Sequence, residues 1–237
     1  MPTAAVVGAG PGLGMSIAHR AGREGHTVAL VSRSAVRHAG YVSSLADKGI
    51  KAEAFVADVR DRGQLLSTLD AIEEGLGGID LLYYGPGAID LEQRPGPITE
   101  TTADEVRAMM SGVYPAIDVV ERVLPGMRER GAGGLLFAGG LSAVTPMPFL
   151  GALAVTSAAL RNYVVTLNAG LTGTGVYAGT LTIGGLVERG DIHQYVASRP
   201  EQFGDLPPRT LNPDDIADTA WRMYTERDRA EEVISLL

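Results

Sequence analysis

The segment Gly8-Ala9-Gly10-Pro11-Gly12-Leu13-Gly14 lies between a short apolar stretch, Ala4 to Val7, and a helical pattern, Met15 to Glu24. A loop in that place aims backbone N–H groups and the positive end of a helix dipole at a bound anion, the arrangement that suits the paired phosphates of a dinucleotide. Glycine permits the tight turn and lets phosphates come close to the backbone. The common Gly-x-Gly-x-x-Gly spacing fails, because Leu13 stands where the third glycine belongs. A longer spacing, Gly-x-x-x-Gly-x-Gly, is met by Gly8, Gly12 and Gly14.

The second apolar stretch ends Val31-Ser32-Arg33-Ser34. An acid at this point would accept hydrogen bonds from a ribose diol. Arg33 flanked by the hydroxyls of Ser32 and Ser34 instead matches a ribose 2′-phosphate, which favours NADP(H) over NAD(H). Further along, several groups have the chemistry to assist proton transfer. Ser142, Thr145 and Ser157 are donors suited to a substrate oxygen, or else local caps of turns and helices. Tyr84 and Tyr114 are phenols to present near a cofactor, or else packed rings with satisfied hydroxyls. A histidine can serve as acid or base near neutrality, and His193 is the one histidine expected near the site, in that role or as a solvent-facing lid residue.

The glycine spacing resembles the phosphate loop of the short-chain dehydrogenase/reductase family, and the order of later landmarks extends the resemblance over essentially the whole chain: Ala57-Asp58-Val59, Gly85 and Gly87, Ala158-Ala159-Leu160, and Gly184. The resemblance implies that Asp58 touches the adenine and Val59 packs on it, and that Gly184 and Leu186 belong to the cofactor site. It also implies a carbonyl or alcohol substrate, hydride transfer, and a tyrosine whose phenol is activated by a lysine four residues later, because an ordinary phenol with a pKa near 10 is a poor proton shuttle. That machinery has changed here. The family's tyrosine, lysine, serine and asparagine positions fall on Leu153, Ser157, Gly140 and Ser111. The only lysines in the chain are Lys48 and Lys51, so no tyrosine-lysine pair exists in that helix under any register. Tyr163, nearly three helical turns beyond Leu153, is too distant to substitute. Glu188 falls where the family often carries a hydroxyl near the cofactor phosphates, and a carboxylate there repels them unless it turns away.

The elements that must hold these groups follow from periodicity. Apolar runs rich in β-branched residues occur at 4–7, 27–31, 52–56, 81–84, 135–138 and 176–183, each the length of a strand. Helical patterns separate them at 15–24, 36–48, 62–76, 102–130 and 152–171. The alternation predicts an α/β fold: a doubly wound parallel sheet with helices on both faces, Rossmann-like, in a single domain over residues 1–237, with its site built by loops after the strands. Asn212-Pro213-Asp214-Asp215 announces a last helix with cap, proline and acids in its first turn. The run Glu226 to Glu232 reads as a solvated charged tail.

Composition narrows the function further. The 237 residues carry 28 acidic and 20 basic side chains, a net charge of -8, which speaks against nucleic acid or an anionic membrane as partner. No cysteine is present, which excludes disulfides, thiolate metal sites and cysteine nucleophiles, and fits a reducing compartment such as the cytoplasm. The start, Met1 to Gly8, lacks the pattern of a secretory signal. Between Gly131 and Val187 the only charged residue is Arg161, yet Pro146, Pro148 and many small polar residues interrupt that stretch, so no membrane span is expected. Met147, Pro148, Phe149 and Leu150 are the expected wall of a pocket for a small hydrophobic substrate, or else core or a packing seam. A homodimer or homotetramer is expected to form through the helices at 102–130 and 152–171. Three functional readings stand: an NADP(H)-dependent oxidoreductase with a non-standard proton donor, a non-redox isomerase, lyase or cyclase on the same scaffold, and a non-catalytic NADP(H)-binding regulatory subunit.

Overall fold

The computed structural model describes residues 1–87, 95–203 and 209–236. Strand β1 (Thr3–Val7) is followed by α1 (Leu13–Arg23), β2 (Thr27–Ser32), α2 (His38–Ala46), β3 (Ala52–Val56), α3 (Arg62–Leu76) and β4 (Ile79–Tyr84). The second half continues with α4 (Ala103–Met110), α5 (Tyr114–Arg130), β5 (Gly133–Gly140), α6 (Gly151–Gly170), β6 (Val176–Gly184), α7 (Asp191–Ala197), α8 (Pro200–Phe203), α9 (Pro213–Glu226) and β7 (Glu231–Ser235). The seven strands form one wholly parallel sheet in the order β3-β2-β1-β4-β5-β6-β7. Winding reverses between β1 and β4, the point beyond whose carboxyl strand ends open sheets of this kind bind ligands.

Apolar side chains cover both faces of the central strands. Val7, Leu82, Leu135 and Phe137 share a core with α3 and α5 on one side. Val6, Leu30, Leu81 and Leu181 share another with α1 and α9 on the other. Capping fixes where helices begin. Asp61 accepts from the Gln64 amide ahead of α3, Thr102 and Glu105 form a reciprocal capping box at α4, and Asn212 with Pro213 opens α9 as its sequence requires.

Three expectations need correction. The pattern at 102–130 is two helices: the Ser111 hydroxyl turns back to donate to the Ala108 carbonyl, and the Gly112 carbonyl accepts from Tyr84 instead of continuing the helical ladder. The pattern at 36–48 begins with a 3₁₀ turn, Ala35–Arg37, before α2. The charged tail ends in β7, which adds to β6 with Glu231 opposite Thr180.

That last strand is secured by a charge pair absent from any local pattern. Arg161, the lone charge of its long uncharged stretch, donates from Nε to Glu231 Oε1 at 2.6 Å and from Nη2 to the other oxygen, while the Thr182 hydroxyl donates to Oε1 at 2.7 Å. The Arg161 guanidinium, with the Thr182 hydroxyl, holds the Glu231 carboxyl below the usual carboxylate range against a desolvation effect that opposes it. A carboxyl with a lowered folded-state pKa contributes stability that is present above its unfolded value near 4.5 and is lost as pH falls through the folded value. Glu231→Gln is therefore expected to destabilise the fold by about 2 kcal/mol at pH 7, and to approach the parent at pH 3, in urea unfolding followed at both pH values.

Candidate active site

The phosphate loop is shaped by close approach as much as by flexibility. Gly8 has φ +98°, and both its amide and that of Ala9 donate to the Val31 carbonyl at 3.0 Å. A Cβ on Gly8 would lie 2.5 Å from the Pro86 nitrogen, and one on Gly14 2.5 Å from the Gly8 carbonyl oxygen. Gly85 donates its amide to the Val7 carbonyl, so the loops after β1 and β4 are tied together at the winding reversal. Gly10 faces open space instead. No side chain caps α1 at Gly12, and its first turn holds no acid. The amides of Leu13 and Gly14 thus head a helix whose dipole favours an anion.

Around the end of β2, Arg33 is exposed and forms no ion pair with any described residue. Ser34 accepts from the Val36 amide, and the Ser32 hydroxyl donates to the Ser34 carbonyl and lies 2.7 Å from His38 Nε2. His38 is buried, a contact that nothing in the sequence announces. Asp58 is engaged by Arg60, whose backbone amide, Nε and Nη2 all donate to it; these bonds, led by the side chain, hold its carboxyl below the usual range. Val59 packs at the edge of the core. Gly87 is exposed, Gly184 is buried against Leu141 and Ser235, and the Leu186 carbonyl accepts from Leu211.

The proposed proton-transfer residues separate into two groups. Gly140, Ser142 and Ser157 come together: a side chain on Gly140 would begin 3.7 Å from Ser142 Oγ and 3.8 Å from Ser157 Oγ. Both serines are half-buried. Two hydroxyls thereby converge where β5 ends and α6 passes, an arrangement able to polarise a substrate oxygen. Leu153 lies one turn earlier on α6 and is buried. Ser111 stays with the α4 turn and is exposed.

Tyr84 must be withdrawn from the catalytic candidates. Its ring is in the core beside Phe137, its hydroxyl donates to the Gly112 carbonyl at 3.2 Å, and burial pushes its pKa far above that of an ordinary phenol. Tyr114 is exposed at the start of α5, Thr145 is exposed, and His193 is partly exposed on α7. Glu188 accepts from the Thr210 hydroxyl at 2.6 Å, and its backbone carbonyl oxygen lies 3.1 Å from the place a Cβ on Gly12 would take. The wall at 147–150 is a surface feature more than a core one: Phe149 is 65% exposed and Val144 42% exposed.

Sequence reasoning missed two cation positions. Arg37 pairs with Asp191 at 2.8 Å, joining the loop after β2 to the first residue of α7. Arg189, with φ +64°, donates to Ser16 Oγ at 3.1 Å and pairs with Asp214 at 2.8 Å, pinning the loop before α7 to α1 and α9. Separations of 154 and 173 residues put both contacts out of reach of local patterns.

Comparison with known proteins is consistent with this geometry. The family model described as short chain dehydrogenase matches residues 2–194. The ketoacyl reductase HetN of Nostoc sp. is 27% identical over 210 residues, covering 88% of this chain and 72% of that protein. Among solved structures, a variant of the actinorhodin polyketide ketoreductase with NADPH superposes with a TM-score of 0.83 at 19% identity, over 99% of this chain and 95% of that one. An NADPH-bound short-chain oxidoreductase of Pseudomonas aeruginosa, described as containing an atypical catalytic center, gives a TM-score of 0.82 at 22% identity, over 99% and 95% of the two chains.

Proposed function

Because the chain belongs to the short chain dehydrogenase family, we propose that it binds NADP(H) and acts as an oxidoreductase on a small hydrophobic carbonyl or alcohol, with the Ser142 and Ser157 hydroxyls taking the place of the missing proton machinery. The observation that carries the reading is the approach of those two hydroxyls to Gly140 at the carboxyl end of β5, the strand next to β4, where winding reverses. The residues present fit the dinucleotide: Gly10 leaves open space, Leu13 and Gly14 offer amides at an uncapped helix start, and the Glu188 carboxylate has the Thr210 hydroxyl as a partner of its own. When bound, NADP(H) would supply the hydride. Ser142 and Ser157 would then orient and polarise the substrate oxygen, with water or His193 as the route for the proton. Exposed Phe149 and Val144 support an apolar lip for the substrate.

Relatives described as ketoacyl and polyketide ketoreductases support a carbonyl substrate, and structures described with NADPH support the cofactor. Exposed Tyr114 and Ile117 on α5 and Val155 on α6 support self-association through these helices. The test is calorimetric titration with NADPH and NADH, followed by incubation with a panel of hydrophobic ketones while reduced-nicotinamide absorbance is read. Binding with loss of absorbance is expected. Product without cofactor consumption would move the assignment to isomerase, lyase or cyclase chemistry, and binding without turnover to a regulatory subunit.

Arg33 provides a sharper check on the cofactor. Arg33→Ala is expected to weaken NADPH by roughly tenfold or more, the value of a charge-assisted contact to phosphate, while leaving NADH nearly unchanged. Equal losses for both dinucleotides would count against a 2′-phosphate role.

A further inference from the structure

The two arginines of the loop after β2 are not equivalent. Arg33 is exposed and makes no ion pair with a described residue, though the Asp58 carboxylate feels its charge, whereas Arg37, at the far end of the 3₁₀ turn that Ser34 caps, has its Nη1 against both oxygens of Asp191, at 2.8 Å and 3.0 Å. Asp191 is the first residue of α7 and follows Gly190, whose Cα lies 2.9 Å from the place a Cβ on Gly12 would take. The pair therefore closes a bridge from the loop after β2, over Gly12 of the phosphate loop, to the segment covering it. It places a half-exposed carboxylate against the guanidinium of the loop after β2.

We propose that Asp191 is a cofactor-discriminating residue, which competes with a ribose 2′-phosphate for the Arg37 guanidinium and so sets how strongly the protein prefers NADP(H) to NAD(H). The inference rests on the dinucleotide-binding reading above. A 2′-phosphate arriving between Arg33 and Arg37 meets one cation that is available and one already matched by a carboxylate, so part of its attraction goes to displacing Asp191. A dinucleotide with a plain ribose diol displaces nothing. The covering segment does not depend on Asp191 alone, since Arg189 fastens it independently to Ser16 and Asp214. Neutralising Asp191 thus takes the carboxylate away from Arg37, leaving it the Tyr41 hydroxyl, without releasing that second tether.

The test compares the parent, Asp191→Asn, Arg37→Ala and the double variant, each titrated with NADPH and NADH at one low ionic strength. Asp191→Asn is expected to tighten NADPH about three- to fivefold, the scale of a half-exposed charge pair, and to move NADH by less than about twofold. In the Arg37→Ala background the gain for NADPH should fall to less than half, because the contested cation is gone. Equal changes for both dinucleotides would overturn the proposal and make the pair a simple tether. An undiminished gain without Arg37 would overturn it in favour of bare repulsion by Asp191. Either result leaves dinucleotide binding standing, whereas a parent protein that binds neither NADPH nor NADH removes that reading and this one together.

Discussion

Gly8→Ala is expected to lower the melting temperature by roughly 6–12 °C and to abolish measurable NADPH binding, while Gly10→Ala, two residues away, leaves the melting temperature within about 2 °C and weakens only the cofactor. The contrast follows from geometry. At Gly8 the backbone sits at φ +98°, where a Cβ is strained, and the new methyl would meet the Pro86 nitrogen and the Gly85 carbonyl group at 2.5–2.7 Å. Backbone cannot move aside as a flexible side chain can. The loops after β1 and β4 must separate, breaking the Gly85 amide's bond to Val7. Strain and overpacking together amount to about 3 kcal/mol. At Gly10 nothing lies within 4 Å of the added methyl, so the fold is indifferent, yet that open space is where the phosphates must approach. Differential scanning fluorimetry with and without NADPH separates the two effects. If Gly10→Ala proved as unstable as Gly8→Ala, or bound NADPH like the parent, the open face of this loop would not be the phosphate site.

Which parts of this architecture were legible in sequence depends on how far apart the interacting residues lie. Gly8, Gly12 and Gly14 announced their loop because its requirements are local: a turn, a close backbone and a helix start within seven positions. The central strands were equally plain, since strands covered on both faces are apolar throughout, and edge strand β3 was read from its short β-branched and aromatic run despite Glu53. Strand β7 was hidden because Glu231 and Glu232 look solvated until Arg161, 70 residues away, is seen to neutralise one of them. The break between α4 and α5 had a local signal that was missed, since Pro115 in the first turn of α5 has no amide to donate to the Ser111 carbonyl, while the Tyr84 hydroxyl that donates to the Gly112 carbonyl comes from β4. Tyr84 itself misled because a residue type announces a phenol without announcing its direction. Ser157, read from alignment on Ala158-Ala159-Leu160, lies beside Gly140 in the structure, and one helix register sets both Leu153 and Ser157 on α6.

That register makes restoration of the missing machinery a decisive experiment. Leu153 and Ser157 are four residues apart on α6, so their side chains lie one turn apart on one face. Ser157 already reaches to 3.8 Å from the place a Gly140 side chain would take, and a Cβ there meets only ordinary contacts. Leu153→Tyr with Ser157→Lys and Gly140→Ser would set a phenol beside an ammonium and a hydroxyl. The ammonium favours the phenolate, lowering the phenol pKa from its ordinary value toward the working pH. General acid–base assistance of that kind is worth about 10²- to 10⁴-fold, so the triple variant is expected to reduce hydrophobic ketones with NADPH at least about 100-fold faster than the parent. The buried position of Leu153 is the point of difficulty, because a tyrosine must find more room than a leucine. Melting temperature and NADPH affinity are therefore measured alongside rate. A variant that folds and binds NADPH like the parent yet gains no rate would show that the pocket does not deliver a carbonyl to this face of the helix, and the non-redox assignment would then take precedence. A gain that disappears in the double variant Leu153→Tyr with Gly140→Ser, where Ser157 is left as it stands, would instead show that the scaffold kept its substrate geometry when its proton donor was lost.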